Sequence, residues 1–158
     1  MKNNNYPTWL VSLDIAIKLK EIGFNKYCPF FVYPKNDDNE YDDEVFISGT
    51  VTVEEEWLDE DNYGEVIIDL SVTECGKFNK LNFQTIPTWE QVFEWFREKG
   101  YHGIIAARGE DGENEYSYCI DYLNELSSDF EQDSHLTYEE AREALVKALI
   151  QTYRSEQL

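Results

Sequence analysis

At 158 residues, with 33 acidic side chains against 13 basic ones and a formal charge of -20, the chain is long enough for one core and too short for two ordinary domains. That charge excludes a bare nucleic-acid binder and a protein drawn to anionic membranes, since both need positive surface. Hydrophobic content of 42% and aromatic content of 15% mark a chain that folds rather than one that stays disordered.

Residues 1–7 are polar and read as a frayed start. Ser12 caps an expected helix over 13–22, with Gly23 to stop it. Leu13, Ala16 and Ile17 form the expected face of that helix, with Ile15, Leu19 and Ile22 beside them. Residues 28–33 read as a short aromatic strand, and Pro29 and Pro34 suit an edge position. After an Asp- and Asn-rich loop, residues 45–53 read as a strand rich in β-branched side chains, with Gly49 as a bulge position. A second acidic loop leads to an alternating strand over 65–72. Residues 75–86 read as a loop with some extended structure.

The strongest folding signal is the stretch from Pro87 to Gly100. Thr88 and Gln91 have capping-box spacing, and Gly100 suits a left-handed helix end. Trp89, Val92, Phe93 and Phe96 recur at helical spacing, with Trp95 flanking them. Residues 102–107 and 115–123 then read as strands of a hairpin around Asp111-Gly112. Tyr116, Tyr118, Ile120 and Tyr122 fall on one side of the second strand, with Cys119 and Asp121 on the other. Residues 124–136 read as a polar connection. Thr137 and Glu140 open a last helix, whose expected face is Tyr138, Ala141, Leu145, Ala148, Leu149 and Thr152. The expected fold is therefore a single two-layer α+β domain over 1–158. It has three helices on a mainly antiparallel sheet, in the order α-β-β-β-α-β-β-α, with 34–65 as an acidic, loop-rich insertion.

The chemical motifs are sparse. Asp59 to Gly64 begins like a calcium loop, but Tyr63 and Leu70 stand where oxygen ligands belong. No metal site or cofactor is expected. Cys28, Cys75 and Cys119 are far apart and read as reduced, mostly buried thiols, and neither His102 nor His135 lies at zinc spacing from them. A Cys-His nucleophile has no local support, and acids this abundant single out no catalytic pair. Arg108-Gly109-Glu110-Asp111-Gly112 carries acids that repel phosphate. No leader or membrane-spanning run is visible, so the expected location is cytoplasmic.

The acidic middle carries the sharpest functional signal. No Lys or Arg falls between Asn36 and Gly76. Asp42, Asp43, Glu44, Glu54, Glu55, Glu56, Asp59 and Asp61 are the expected partner-binding acids, with Asp37, Asp38 and Glu60 near them. Trp57 and Tyr63, together with Tyr41, are the aromatics suited to anchor a contact. Beside this stands the ordinary reading of a solvated acidic face.

Val11-Ser12-Leu13 through Gly23-Phe24, Pro87-Thr88 with Gln91, Trp95-Phe96-Arg97-Glu98-Lys99, Tyr116-Ser117-Tyr118 and Tyr138-Glu139-Glu140-Ala141 together form a pattern. It resembles small uncharacterised proteins of gut bacteria and their phages. The resemblance covers roughly residues 6–33 and 86–153, implies a phage or mobile-element setting, and carries over no functional residue. The expected function is a non-enzymatic protein-binding protein, an inhibitor or accessory factor meeting a basic partner surface. The alternatives are an assembly protein that buries aromatics between copies, and a small-ligand binder or enzyme with a cleft lined by Tyr116, Tyr118, Trp95 and His102.

Overall fold

The computed structural model describes residues 6–32, 40–41, 44–47, 50–52, 65–67, 70–71, 84–109, 115–122 and 134–158. It is a mixed α+β protein with the expected order of elements, and every strand pairing among the described residues is antiparallel. Its contacts fall into two compact units, Met1–Gln91 and Val92–Leu158, and the division lies within a helix.

The first unit opens with α1 (Leu13–Glu21). Ser12 caps it by accepting from the Ile15 N–H, so one of the unpaired first-turn donors is satisfied. At the other end Gly23 takes φ 85°, which lets the Gly23 and Phe24 N–H groups donate back to the carbonyls of Lys20 and Leu19. Phe24 and Leu19 are both fully buried beside that turn. The buried stripe of α1 is Ile15, Ala16 and Leu19; Leu13 and Ile17 are only half-buried. The expected face was therefore rotated, because Leu19, tied into the closing turn, fixes which side faces inward.

Six short strands follow: β1 (Tyr27–Cys28), β2 (Phe30–Val32), β3 (Phe46–Ile47), β4 (Thr50–Thr52), β5 (Glu65–Ile67) and β6 (Leu70–Ser71). Phe30 and Phe31 pair with Ile47 and Phe46, Thr50–Thr52 with Ile67 to Glu65, and Leu70 and Ser71 return to Cys28 and Tyr27. Pro29 sits at the switch between β1 and β2, where a residue without an N–H costs no ladder bond. On its other side β2 pairs with β7 (Gln84–Thr85), so the end of the expected loop over 75–86 is a strand. Gln84 is buried and donates from its amide to the Thr85 carbonyl.

Residues 7–11 run antiparallel to residues 87–89. Leu10 bridges Thr88, Val11 donates to the Pro87 carbonyl, and Trp89 Nε1 donates to the Thr8 carbonyl at 2.9 Å. Thr88 and Gln91 form the expected reciprocal cap: the Thr88 N–H donates to Gln91 Oε1 at 3.0 Å and the Gln91 N–H to Thr88 Oγ1 at 3.2 Å. This cap opens α2 (Trp89–Glu98), and Gly100, at φ 91°, closes it by donating to the Arg97 carbonyl.

In the second unit the buried residues of α2 are Val92, Trp95 and Phe96. Trp95 was expected to flank the face but lies within it, packed edge-on against Phe96 and Tyr153, with the Lys99 ammonium 4.8 Å from its ring centre. Phe93 is half-buried, as is Trp89 in the first unit. β8 (Tyr101–Ala107) and β9 (Tyr116–Tyr122) form an unbroken seven-pair hairpin from Tyr101↔Tyr122 to Ala107↔Tyr116. Its tip at Asp111-Gly112 lies outside the described residues.

One face of the hairpin is covered by α3 (Tyr138–Glu156), with Gly103 against Leu145, Tyr116 against Tyr138 and Tyr101 against Tyr153. The Tyr101 hydroxyl also reaches the Glu156 carboxylate. α3 starts at the expected capping box of Thr137 and Glu140 and buries Ala141, Leu145, Val146, Leu149 and Ile150. Tyr138, expected on the buried face, is exposed under the Arg142 guanidinium. The expected polar connection also ends early: His135 exchanges both backbone hydrogen bonds with Tyr116 and stacks on Tyr118.

Candidate functional site

Of the ten residues expected to form the partner-binding surface, only Glu44 lies among the described residues, and it is exposed. Asp42, Asp43, Glu54, Glu55, Glu56, Trp57, Asp59, Asp61 and Tyr63 lie outside them. The described part of the acidic tract near Glu44 has one buried ring. Tyr41 is 8% exposed, with the side chains of Glu40 and Glu44 exposed on either side of it. An aromatic there does serve as an anchor, but it anchors into the chain's own core.

The four residues of the expected cleft do not share one face. Trp95 is buried in the aromatic cluster with Phe96 and Tyr153. Tyr116 and Tyr118 stand on the α3 side of the hairpin, while His102 stands on the opposite side, across from Asp121. Cys28 is buried and donates from its thiol to the Lys26 carbonyl at 3.3 Å; Cys119 is buried and free of any disulfide. Among the described residues no group of three or more His, Cys, Asp or Glu is placed to hold a metal ion, and no helix is long and apolar enough to cross a membrane.

What the first unit presents instead is a pair of exposed aromatics on a braced support. Trp9 is 50% exposed and Tyr27 59% exposed. The Trp9 ring is held edge-on to Phe30 at 4.8 Å between centroids. Both main chains are fastened to the cap of α2: the Trp9 carbonyl accepts from the Trp89 N–H at 3.4 Å, and the Tyr27 carbonyl accepts from Gln91 Nε2 at 2.7 Å. Gln91 therefore has two roles, closing the helix cap and tying down the strand that carries Tyr27. Tyr6 braces the same segment from the other end. Its hydroxyl donates to the Val11 carbonyl at 2.7 Å, and burial raises its pKa from 10.0 to about 12. The start of the chain is thus tied down from Tyr6 onward, not frayed through Pro7 as its polarity suggested.

Sequence reasoning passed over this pair. Trp9 opens an apolar run, and Tyr27 falls one residue before the expected strand. The available signal was Pro7-Thr8-Trp9 ahead of a capped helix, a large ring placed before the element that would have buried it. No protein-family model matches the chain, and neither a curated protein nor a solved structure is similar to it.

Proposed function

We propose that the chain is a non-enzymatic protein-binding protein, of the phage or mobile-element type its sequence pattern resembles, whose partner presents a basic surface. The observation that supports this reading is the braced, exposed pair Trp9 and Tyr27 on a chain of charge -20. Exposed aromatics held in place lose little entropy on binding, and Trp and Tyr are enriched among residues that dominate interface energy. The net negative charge of the whole chain raises the encounter rate with Lys- and Arg-rich surfaces, and ring faces attract those same cations.

The test is calorimetric titration of the whole chain with a Lys/Arg-rich peptide, in low and high NaCl, for the wild type and for Trp9→Ala with Tyr27→Ala. The expected result is binding that weakens with salt and falls roughly tenfold or more in the double variant, whose fold is checked by circular dichroism. Equal binding by wild type and double variant would leave only diffuse charge attraction and overturn the proposed surface. Absence of binding at low salt would overturn the basic partner.

A further inference from the structure

The edge of β8 has the chemistry of an unfilled place in a sheet. In an antiparallel pair, residues alternate between those that bond across the pair and those whose N–H and C=O point away. Arg108, next beyond Ala107, donates to the Glu115 carbonyl, so it bonds across; Tyr116, opposite Ala107, bonds outward to His135. The alternation therefore sends His102, Ile104 and Ala106 toward β9, and turns the backbone groups of Gly103, Ile105 and Ala107 outward. The outer edge of β9 is occupied at Tyr116 by His135. Among the described residues, β8 pairs with β9 alone.

Natural edge strands are normally protected by a charge, a proline, a bulge or shortness. β8 runs seven residues, Tyr101-His102-Gly103-Ile104-Ile105-Ala106-Ala107, in unbroken register and without Lys, Arg, Asp, Glu or Pro. Ile104 is 44% exposed on it.

We propose that this edge is a self-pairing site, through which two copies of the chain join β8 to β8 about a two-fold axis at Ile104. The side chains identify the occupant. When the strand is laid antiparallel against itself, Gly103 meets Ile105, His102 meets Ala106 and Tyr101 meets Ala107, so each large residue faces a small one. Ile104 meets its own copy in a narrow pair, where side chains come closest. Gly103 and Ile105 of each copy exchange both backbone bonds. Such a contact is isologous and closed, as two-fold dimers require. Charge points the same way: a chain of -20 repels its own copy over most of its surface, and β8 is a stretch where two copies meet without opposing carboxylates. The small contact makes a weak dimer, and salt strengthens it by screening the remaining repulsion.

The test is sedimentation equilibrium of the whole chain across a concentration series, in low and high NaCl. The expected mass moves from 18.6 kDa toward twice that value with concentration, and does so earlier in high salt. Ile104→Lys should hold the chain monomeric with unchanged thermal unfolding, because the side chain it replaces is exposed and the new charges oppose each other across the axis. Ala107→Pro, which removes an outward N–H at an exposed position, should do the same and stands in if the first variant misfolds. Under mild oxidation, Ile104→Cys should give a disulfide-linked dimer that the wild type does not, since narrow pairs bring Cα atoms to about 4.5 Å, within disulfide reach. A monomer at every concentration and both salts overturns the proposal. So does a dimer that survives both Ile104→Lys and Ala107→Pro, or one that dissolves as salt is added.

Discussion

Gly103 shows how one residue sets the spacing between a strand and a helix. A Cβ added there would stand 2.7 Å from Leu145 Cδ2 and 3.1 Å from both Cγ and Cδ1. Leu145 is 1% exposed, so its side chain can yield only by disturbing the packing around it. The glycine therefore lets α3 settle onto the hairpin, and does so without any unusual backbone angle. Gly103→Ala gains about 0.5 kcal/mol of strand preference but forces a filled core apart; the net cost is about 1–2 kcal/mol of stability. Urea unfolding checks this, with Leu145→Val as the partner variant. The double variant should cost less than the two single changes added, because valine lacks the Leu145 Cδ methyls that crowd the new methyl. Strict additivity would mean that the close approach does not limit the packing. The sequence showed Gly103 only as an interruption in an apolar strand, since what it meets lies some forty positions away.

At the scale of elements, the helix ends were legible and the strand partners were not. Ser12, Gly23, Thr88, Gln91, Gly100, Thr137 and Glu140 all act where their spacing places them, because a cap is a bond between near neighbours in the chain. The buried stripes were less secure. Trp95 and not Trp89 is buried on α2, and the indole N–H of the half-buried Trp89 donates to the Thr8 carbonyl. The partners of β1–β6 were not legible, since pairing depends on register between distant segments. The capping box of α3 carries its own prediction. The Thr137 hydroxyl accepts from the Glu140 N–H at 3.1 Å, while the Glu140 carboxylate accepts from the N–H groups of Leu136 and Thr137. Thr137→Ala should lower stability by about 1 kcal/mol. Glu140→Ala should cost less, and the pair together less than their sum, because each change already loosens the other's partner. Thermal unfolding followed at the helix band measures all three, and full additivity would show that the two halves of the box act separately.

For the whole molecule the governing quantity is charge of one sign, and it makes the response to salt diagnostic. A chain of 158 residues at -20 has a sequence pI near 4.2, so at neutral pH its folded form concentrates negative charge that the unfolded chain spreads out. Against that repulsion stand exposed ion pairs such as Asp14–Lys18 at 2.9 Å in the first unit and Glu143–Lys147 at 2.7 Å in the second. Each helical pair of this kind contributes about 0.3–0.5 kcal/mol and is itself weakened by salt. Repulsion summed over so many uncompensated acids outweighs them. Raising NaCl shortens the screening length from about 30 Å at 0.01 M to about 3 Å at 1 M. Thermal stability should therefore rise with NaCl at pH 7, by about 2–4 °C for each kcal/mol of repulsion removed. Chloride is the salt to use, since sulfate also strengthens apolar burial and would confound the reading. The measurement belongs at low protein concentration, where self-pairing through β8 adds nothing to the melting temperature. A melting temperature that falls as NaCl is added would mean that ion pairs, not repulsion, dominate the folded state. It would also remove the reason to expect salt to draw two copies together while it drives a basic partner away.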